Sequence, residues 1–257
     1  MPIKYARSLT GHRRTVSANR HLGLTLAFVA GATNAGGFLA VKQYTSHMTG
    51  MVSSMADNLV LGGYELVFDA AGAILSFLLG AACTALMVNY VRRQRLYSEY
   101  ALPLLLEATL LLVFGVLGAR LQSVQGLFVP ITVMLLCFIM GLQNAVITKL
   151  SHSEIRTTHM TGNLTDIGIE LGRLIYWNAD RDQPKVLANR ARLRLLGSLV
   201  VCFFTGGVVG AIGFARMGFV STVPLAALLC VMAIVPTVDD LLRVIARMRK
   251  KRGPARG

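Results

Sequence analysis

Six long apolar blocks constrain the fold of this sequence more than any other feature. Each block has about 20 predominantly apolar residues, the length of α-helix that crosses a ~30 Å hydrocarbon core. Only 15% of the 257 residues are charged, against about 25% in an ordinary soluble protein. We therefore predict an all-α, polytopic membrane protein with six transmembrane helices, which cover residues 22–41, 70–91, 101–119, 127–148, 195–215 and 219–238.

The large positive charge of the chain has a membrane explanation. The formal net charge is +14, but the basic residues lie at the ends of the apolar blocks, where they orient helices and meet anionic lipid. No basic face interleaved with aromatic residues is present, which excludes nucleic acid as a partner. The expected partners are the lipid bilayer, anionic lipid at the basic tails and a small solute. A homo-oligomer is also compatible with the sequence.

The sequence contains no pattern for a cofactor, a metal ion or a common hydrolytic reaction. Its cysteines lie inside apolar blocks and lack the spacing of disulfide or zinc ligands; they are Cys83, Cys137, Cys202 and Cys230. P-loop, HExxH and GxSxG motifs are absent as well. We therefore expect a protein that is not an enzyme, has no catalytic residues and uses no cofactor or metal.

Two shorter stretches, 51–67 and 163–177, are helix-like but contain acids and amides that would be costly to expose to lipid. If neither stretch crosses the membrane, four cytoplasmic segments hold 23 of the 26 Lys and Arg residues. These segments are 1–20, 92–101, 149–194 and 239–257. This asymmetry follows the positive-inside rule and predicts that both termini are cytoplasmic.

An internal repeat divides the chain into two halves. Ser46-His47-Met48-Thr49-Gly50 returns as Thr158-His159-Met160-Thr161-Gly162, and Gly31-x-x-Asn34-Ala35 returns as Gly141-x-x-Asn144-Ala145. A ladder of small residues at 72, 76, 80 and 84 returns at 198, 202, 206 and 210. Because the first apolar block belongs to this repeat, we interpret it as a retained helix rather than a signal peptide.

The repeat and the topology together predict an inverted repeat. Three spanning helices per half is an odd number, so the second half must enter the membrane from the opposite side. The predicted organisation is a basic cytoplasmic N-terminal tail at 1–20, a first membrane repeat at 21–126, a second at 127–240 and a basic cytoplasmic C-terminal tail at 241–257.

The repeated motifs also carry a family resemblance. The residues concerned are Gly31-x-x-Asn34-Ala35, Met48-Thr49-Gly50, Gly141-Leu142-Gln143-Asn144-Ala145 and Thr157-Thr158-x-x-Thr161-Gly162-Asn163-Leu164-Thr165. Together they resemble the YoaK family of bacterial integral membrane proteins, whose function is unknown. The resemblance implies about six membrane helices in the bacterial cytoplasmic (inner) membrane. This chain departs from the family at Asn34, where Asp is common, and at Met51, where Asn is common.

The two Thr-Gly turns are the first candidate binding residues. We expect Thr49-Gly50 and Thr161-Gly162 to precede the short helices, with Thr161 or Asn163 as a helix cap. A helix N-terminus inside a membrane protein offers unpaired N–H groups that suit an anion. The alternative is a cap that only satisfies its own backbone.

Amides and acids near the motifs supply the other candidates. Asn34 and Asn144 lie within apolar helices and either contact a solute or bind a neighbouring helix. Asp57 and Asp166 lie on the short helices as candidate proton carriers, with solvation at the membrane surface as the alternative. Glu107, near the start of its span, is expected to reach the membrane interface.

These features support two functional hypotheses. The first is a secondary transporter or permease for a small polar or anionic solute, based on the inverted repeat, the paired broken helices and the amides. The second is a non-transporting membrane protein, either a structural partner or an intramembrane enzyme, although the residues that would complete an active site around Ser46 and His47 are missing.

The predicted topology can be tested with reporter fusions. Fusions at Gly126 and at the C-terminus should report opposite sides of the membrane, because an odd number of spans lies between them. Activity of both reporters on the same side would show that the number of spans is wrong.

Overall fold

The chain is entirely helical wherever its structure is described. The computed structural model describes residues 16–94, 96, 98–121, 125–150, 157–178 and 184–252. Its elements are α1 (Val16–Val41), α2 (Met48–Leu61), α3 (Tyr64–Arg93), α4 (Ala101–Leu121), α5 (Gln125–Leu150), α6 (Met160–Ile175), α7 (Arg190–Met217), a one-turn 3₁₀ helix (Gly218–Ser221) and α8 (Thr222–Arg252). No strand occurs in these ranges, so the predicted all-α class is confirmed.

Five segments of the described chain are long and apolar enough to cross a membrane: Ser17–Val41, Tyr64–Arg93, Ala101–Arg120, Val129–Leu150 and Arg190–Leu242. The last has 53 residues and contains α7 and the first part of α8. A Cβ atom on Gly213 would lie 3.1 Å from the Ser221 hydroxyl oxygen, whereas eight residues of continuous helix would separate them by about 12 Å. The chain therefore turns back at Gly218, which has a φ of 58°. The protein is a polytopic helical membrane protein.

Glycines allow α1 and α7 to approach at backbone distance. A Cβ atom on Gly31 would lie 2.0 Å from the carbonyl oxygen of Phe203. In return, a Cβ atom on Gly206 would lie 2.0 Å from the carbonyl oxygen of Phe28. Such contacts between small residues hold membrane helices together where lipid removes the hydrophobic driving force.

Helices α3 and α5 meet through the same reciprocal contact. A Cβ atom on Gly80 would lie 2.1 Å from the carbonyl oxygen of Phe138, and one on Gly141 would lie 2.0 Å from the carbonyl oxygen of Phe77. Each of these positions is the counterpart of one in the α1–α7 contact under the offsets of 110 and 126 that the sequence repeat predicts. Both small-residue ladders therefore pack against a helix from the other half of the chain.

The contacts within these two pairs show the direction of their helices. Phe28 lies beside Gly206 and Gly36 beside Phe214, so α1 and α7 run parallel. Gly72 lies beside Met134, and further along both helices the Thr84 hydroxyl donates to the Leu142 carbonyl at 2.9 Å. Helices α3 and α5 are therefore also parallel.

Two further helix pairs, α1–α5 and α4–α8, are antiparallel. The Gln143 side-chain amide donates to the Leu26 carbonyl at 3.2 Å, and Gly37 lies against Leu136, so α1 and α5 run in opposite directions. Along α4 and α8, Ser98 at one end bonds to Asp240, while Gly118 at the other end lies against Phe219. Helix α4 is therefore antiparallel to α8.

The two short helices begin three residues earlier than the sequence analysis predicted. They cover Met48–Leu61 and Met160–Ile175 rather than 51–67 and 163–177. Helix α2 packs on α3 and α6 packs on α7. The 14 residues of α2 reach about 21 Å at 1.5 Å per residue, less than the hydrocarbon thickness.

The outward faces of α3 and α7 are apolar. Large side chains exposed there are Leu75, Leu78, Leu79 and Leu86 on α3 and Val201, Phe204, Val208, Val209 and Ile212 on α7. These faces suit contact with the lipid bilayer. The long helices also continue into the predicted tails, because α1 already begins at Val16 and α8 continues to Arg252.

The glycine contacts can be tested on α7. We expect Gly206→Ala to lower the free energy of unfolding by about 1–3 kcal/mol, because its methyl group runs into a backbone carbonyl. Gly197→Ala in the same helix has open space around its Cβ and should be neutral or stabilising by up to about 1 kcal/mol. The stability of both variants can be measured by heating the protein in detergent and recording the temperature at which buried Cys137 becomes accessible to a maleimide. Equal effects would show that close approach at Gly206 does not stabilise the fold.

Candidate functional site in the two motif loops

Each motif loop leads from a long helix into a short one with the same backbone turn. His47 and His159 are the N-cap residues, with φ and ψ of −98° and 69° in the first and −80° and 59° in the second. Their carbonyls accept the first helical hydrogen bonds, from Met51 N at 3.2 Å and Asn163 N at 3.0 Å. Neither histidine side chain caps its helix, so the N-cap residue accepts no side-chain hydrogen bond from the first N–H groups of either helix.

The prediction that the Thr-Gly pairs precede the short helices is wrong. Thr49 and Gly50 lie in the first turn of α2, and Thr161 and Gly162 lie in the first turn of α6. Glycine keeps its backbone N–H and can adopt helical dihedral angles, so it lowers helix propensity without interrupting the helix. Asn163 is likewise not a cap: it is buried within α6, one turn beyond the cap residue.

Asn34 anchors the first loop to the helix that precedes it. Its side-chain oxygen accepts hydrogen bonds from the Ser46 backbone N–H at 3.3 Å and from the Ser46 hydroxyl at 3.0 Å. An aspartate, the residue that is common in the resembling family, would accept the same two bonds. The departure at Asn34 therefore preserves this anchor while removing a charge.

Asn144 does the same for the second loop. Its side-chain oxygen accepts from the Thr158 hydroxyl, and its NH₂ group donates to the Met140 carbonyl at 2.9 Å. Thr158 is the counterpart of Ser46 in the repeated motif. Both predicted amides thus make internal contacts with their own loops, and their role in solute binding stays a prediction.

A second matched pair in the loops was not singled out as candidate site residues in the sequence analysis. Thr45 and Thr157 each precede the anchored residue, and each is 0% exposed. Neither hydroxyl has a hydrogen-bond partner within the described residues. Burial of an unpaired hydroxyl costs roughly 1–3 kcal/mol, so two such groups at matched positions call for an explanation. The signal in the sequence was a threonine at the same offset before both motifs.

The surroundings of the two loops also match position by position. Residues 45–51 and 157–163 follow the same order of buried, half-buried and exposed positions, and so do residues 31–37 and 141–147. Met51 and Asn163 are the buried ends of the two motif segments. The Met51 sulfur accepts a hydrogen bond from the Gln43 side-chain amide at 3.2 Å, so methionine still makes a polar contact where the family commonly has asparagine.

The two loops lie at opposite ends of the α1–α5 pair. Gln143, next to Asn144, is level with Leu26 on α1. Asn34 lies eight residues further along α1, or about 12 Å at 1.5 Å per residue. The structure thus places the two anchoring amides at separate levels, one near each loop.

The two acids predicted as proton carriers, Asp57 and Asp166, are close to the surface. Asp57 is exposed, and Asp166 forms an ion pair with Arg192 at 2.9 Å in which the two side chains are 40% and 52% exposed. Their role as proton carriers therefore stays a prediction, and neither acid is buried in the described structure. Glu170, by contrast, is buried and satisfied, since it pairs with Arg173 and accepts from the Asn189 N–H at 2.7 Å.

The histidines do not form a metal centre with the described residues. No group of three His, Cys, Asp or Glu side chains with metal-binding geometry occurs among them. His47 is exposed, and its ring packs over Gly50: a Cβ atom there would lie 2.3 Å from the ring carbon Cδ2. Glycine at this position leaves room for the ring beside the first turn of α2.

Comparison with known proteins agrees with the class that the fold defines, a polytopic helical membrane protein. The family model described as "Protein of unknown function (DUF1275)" matches residues 22–235, and the chain belongs to this family. A curated relative, the UPF0700 transmembrane protein YoaK of Bacillus subtilis (strain 168), is 29% identical over 210 residues, which cover 77% of this chain and 85% of the relative. The resemblance to the YoaK family is thereby confirmed. No solved structure matches the chain.

The anchoring role of Asn144 can be measured with a double-mutant cycle. We expect Asn144→Leu to lower the free energy of unfolding by about 1–2 kcal/mol, because the Thr158 hydroxyl loses its partner and the Met140 carbonyl loses its side-chain hydrogen bond. Thr158→Val should cost less once Asn144→Leu is present, with a coupling of about 0.5 kcal/mol or more. In the first loop, Asn34→Asp should retain stability and Asn34→Leu should not. Additive effects of the Asn144 and Thr158 substitutions would contradict the anchor.

Proposed function

We propose that this protein is a secondary transporter or permease for a small polar or anionic solute and that it has no enzymatic activity. The observation that carries the proposal is the matched pair of motif loops. Each loop has an anchoring asparagine, an uncapped helix start and a buried hydroxyl that has no hydrogen-bond partner in the described part of the chain. Irregular backbone in membrane proteins is tolerated mainly where it is buried in protein or lines a cavity.

We further propose that the two halves form an inverted-topology repeat with six membrane crossings. The helix directions support this arrangement: α1, α4 and α7 run one way and α3, α5 and α8 run the other. In this arrangement the order of directions in residues 21–126 is reversed in residues 127–240. Inverted repeats with broken helices are a common architecture of secondary transporters.

The proposed orientation has both termini in the cytoplasm of a bacterial cell, with the protein in its cytoplasmic membrane. Basic residues at the end of α3 and the start of α7 support this orientation. Because α3 and α7 run in opposite directions, the end of α3 and the start of α7 lie on the same side of the membrane. The basic residues are Arg92, Arg93, Arg190, Arg192 and Arg194. Positive charge on short flanking segments is retained on the cytoplasmic side.

The chemistry of the loops favours a small solute that accepts hydrogen bonds. The first turns of α2 and α6 offer N–H groups, and Thr45 and Thr157 offer hydroxyls that can donate or accept. Positive helix ends favour an anion or a polar group with partial negative charge. Because one loop lies at each end of the α1–α5 pair, the solute would bind first at one loop and then at the other.

A specific observation also favours the non-transporting alternative. The side-chain oxygens of Asn34 and Asn144 already bind their own loops, as expected of residues that only fix the fold. A structural protein, however, gains nothing from buried hydroxyls that lack partners. The two threonines therefore discriminate between the hypotheses better than the asparagines do.

The experiment combines Thr45→Val and Thr157→Val in one chain. The folded protein should be as stable as the original or more stable, because no hydrogen bond is lost. Solute-induced currents of the reconstituted protein on a solid-supported membrane should fall about tenfold for each hydroxyl, since a hydrogen bond of about 1.4 kcal/mol corresponds to tenfold in affinity. The probes are chloride, nitrate, formate, acetate and phosphate.

Thr205→Val is the matched control, because the Thr205 hydroxyl donates to carbonyls of its own helix and is exposed. It should leave the currents unchanged. A double variant that keeps the full wild-type current would contradict a transport site at the loops.

A further inference from the structure

Glu107, in the second turn of α4, is a buried acid without a hydrogen-bond partner among the described residues. Its side chain is 0% exposed, in contrast to the expectation that it reaches the membrane interface. Neither carboxyl oxygen has a hydrogen-bond partner among the described residues. Leu104 and Leu111, one turn before and after it, are also 0% exposed and belong to the apolar core.

Two close contacts between the α4 and α8 segments lie on either side of Glu107 along the helix axis. At one end, the Ser98 N–H donates to the Asp240 carboxylate at 2.7 Å. At the other end, a Cβ atom on Gly115 would lie 2.4 Å from the Thr222 hydroxyl oxygen, and Gly115 is about 12 Å from Glu107 along the helix. The register of these contacts places Glu107 level with Cys230 and Val231 on α8.

No described basic group compensates a charge on Glu107. The titratable and charged groups on the helices packed against α4 are Cys230, Asp239, Asp240 and the basic residues from Arg243 to Arg252 on α8, Cys137 and Lys149 on α5, and Tyr64, Glu65, Asp69, Cys83, Tyr90, Arg92 and Arg93 on α3. Arg243 comes 13 residues after Cys230 in the chain, or about 20 Å further along α8. None of them hydrogen-bonds to Glu107. Arg92 is engaged by Glu99 at 3.1 Å. An ionised carboxylate without a partner costs several kcal/mol in such surroundings.

We propose that Glu107 is a proton-binding site inside the membrane region, which exchanges its proton with water only when the α4–α8 interface opens. In the closed structure the side chain is a neutral carboxylic acid. When one of the two enclosing contacts separates, a water molecule takes the proton and the carboxylate remains until a proton returns. The step involves no oxidation or reduction.

The chemistry of the position favours a proton over a metal cation. A bound alkali or alkaline-earth ion needs several oxygen ligands, whereas the neighbouring turns of α4 supply leucine. Proton exchange at Glu107 would also provide a driving force for the proposed transport. The inference itself does not depend on the motif loops, and its test uses no solute.

Infrared spectroscopy of the full-length protein in vesicles of phosphatidylethanolamine and phosphatidylglycerol tests the proposal. At neutral pH the wild-type protein should show the absorption band of a protonated carboxyl group, and Glu107→Gln should lose that band completely. The matched control is Glu65→Gln, because Glu65 is an exposed glutamate on α3 and its loss should leave the band intact. A band that does not change in Glu107→Gln would mean that Glu107 is ionised and would overturn the proposal.

Transfer to D₂O separates a proton carrier from a static buried acid. The band should shift as its proton exchanges, and the shift should slow when a disulfide between Ser98→Cys and Asp240→Cys locks one enclosing contact. A band that never shifts in the unlocked protein would also overturn the proposal. If Glu107→Gln fails to fold, Glu107→Asp keeps the acid, and its carboxyl band should move in frequency without disappearing.

Discussion

The rest of the structure depends on the approach of helix backbones at four glycines. Gly31 and Gly206 join α1 to α7, and Gly80 and Gly141 join α3 to α5. At each of them, the space for a side chain is taken by a carbonyl of the partner helix. Because lipid is as apolar as a leucine side chain, a membrane protein depends on close packing for its cohesion. These contacts also connect the first half of the chain to the second.

The glycine contacts position the candidate site by leaving the loop ends of α1 and α5 free. Each of these two helices is held by a partner from the other half, and its last turns lead into a motif loop anchored by Asn34 or Asn144. The residues proposed to bind solute therefore follow two helices, α1 and α5, that are each packed against a helix of the other half. The α4–α8 pair is built differently. Two of its close contacts, Ser98–Asp240 and Gly115–Thr222, lie on either side of Glu107.

The buried polar side chains of this protein differ in whether they have a hydrogen-bond partner. Glu170 and Asp240 are buried acids with partners, and they tie helix ends together. Thr45, Thr157 and Glu107 are buried without a hydrogen-bond partner among the described residues, as are Thr33, Thr132 and Ser221, so the folded state gains nothing from their polarity. Thr45 and Thr157 differ from the others in their matched positions before the two motifs, and Glu107 differs in carrying an acid. A membrane protein retains such groups at a cost in stability, which is why the proposals rest on them rather than on the satisfied amides.

The sequence by itself determined the all-α membrane class, the family and the repeated landmarks, because apolar length and recurring motifs are local properties of the chain. It placed the starts of the short helices three residues too late, since a glycine in a first turn looks like a break. Only the tertiary structure decided that the asparagines bind their own loops, that Asp166 pairs with Arg192 and that Glu107 is enclosed. The asparagine contacts and the Asp166–Arg192 pair join residues 12 to 26 positions apart, across loops whose path the sequence pattern does not give. The enclosure of Glu107 depends on helix packing between residues such as Ser98 and Asp240, which are 142 positions apart.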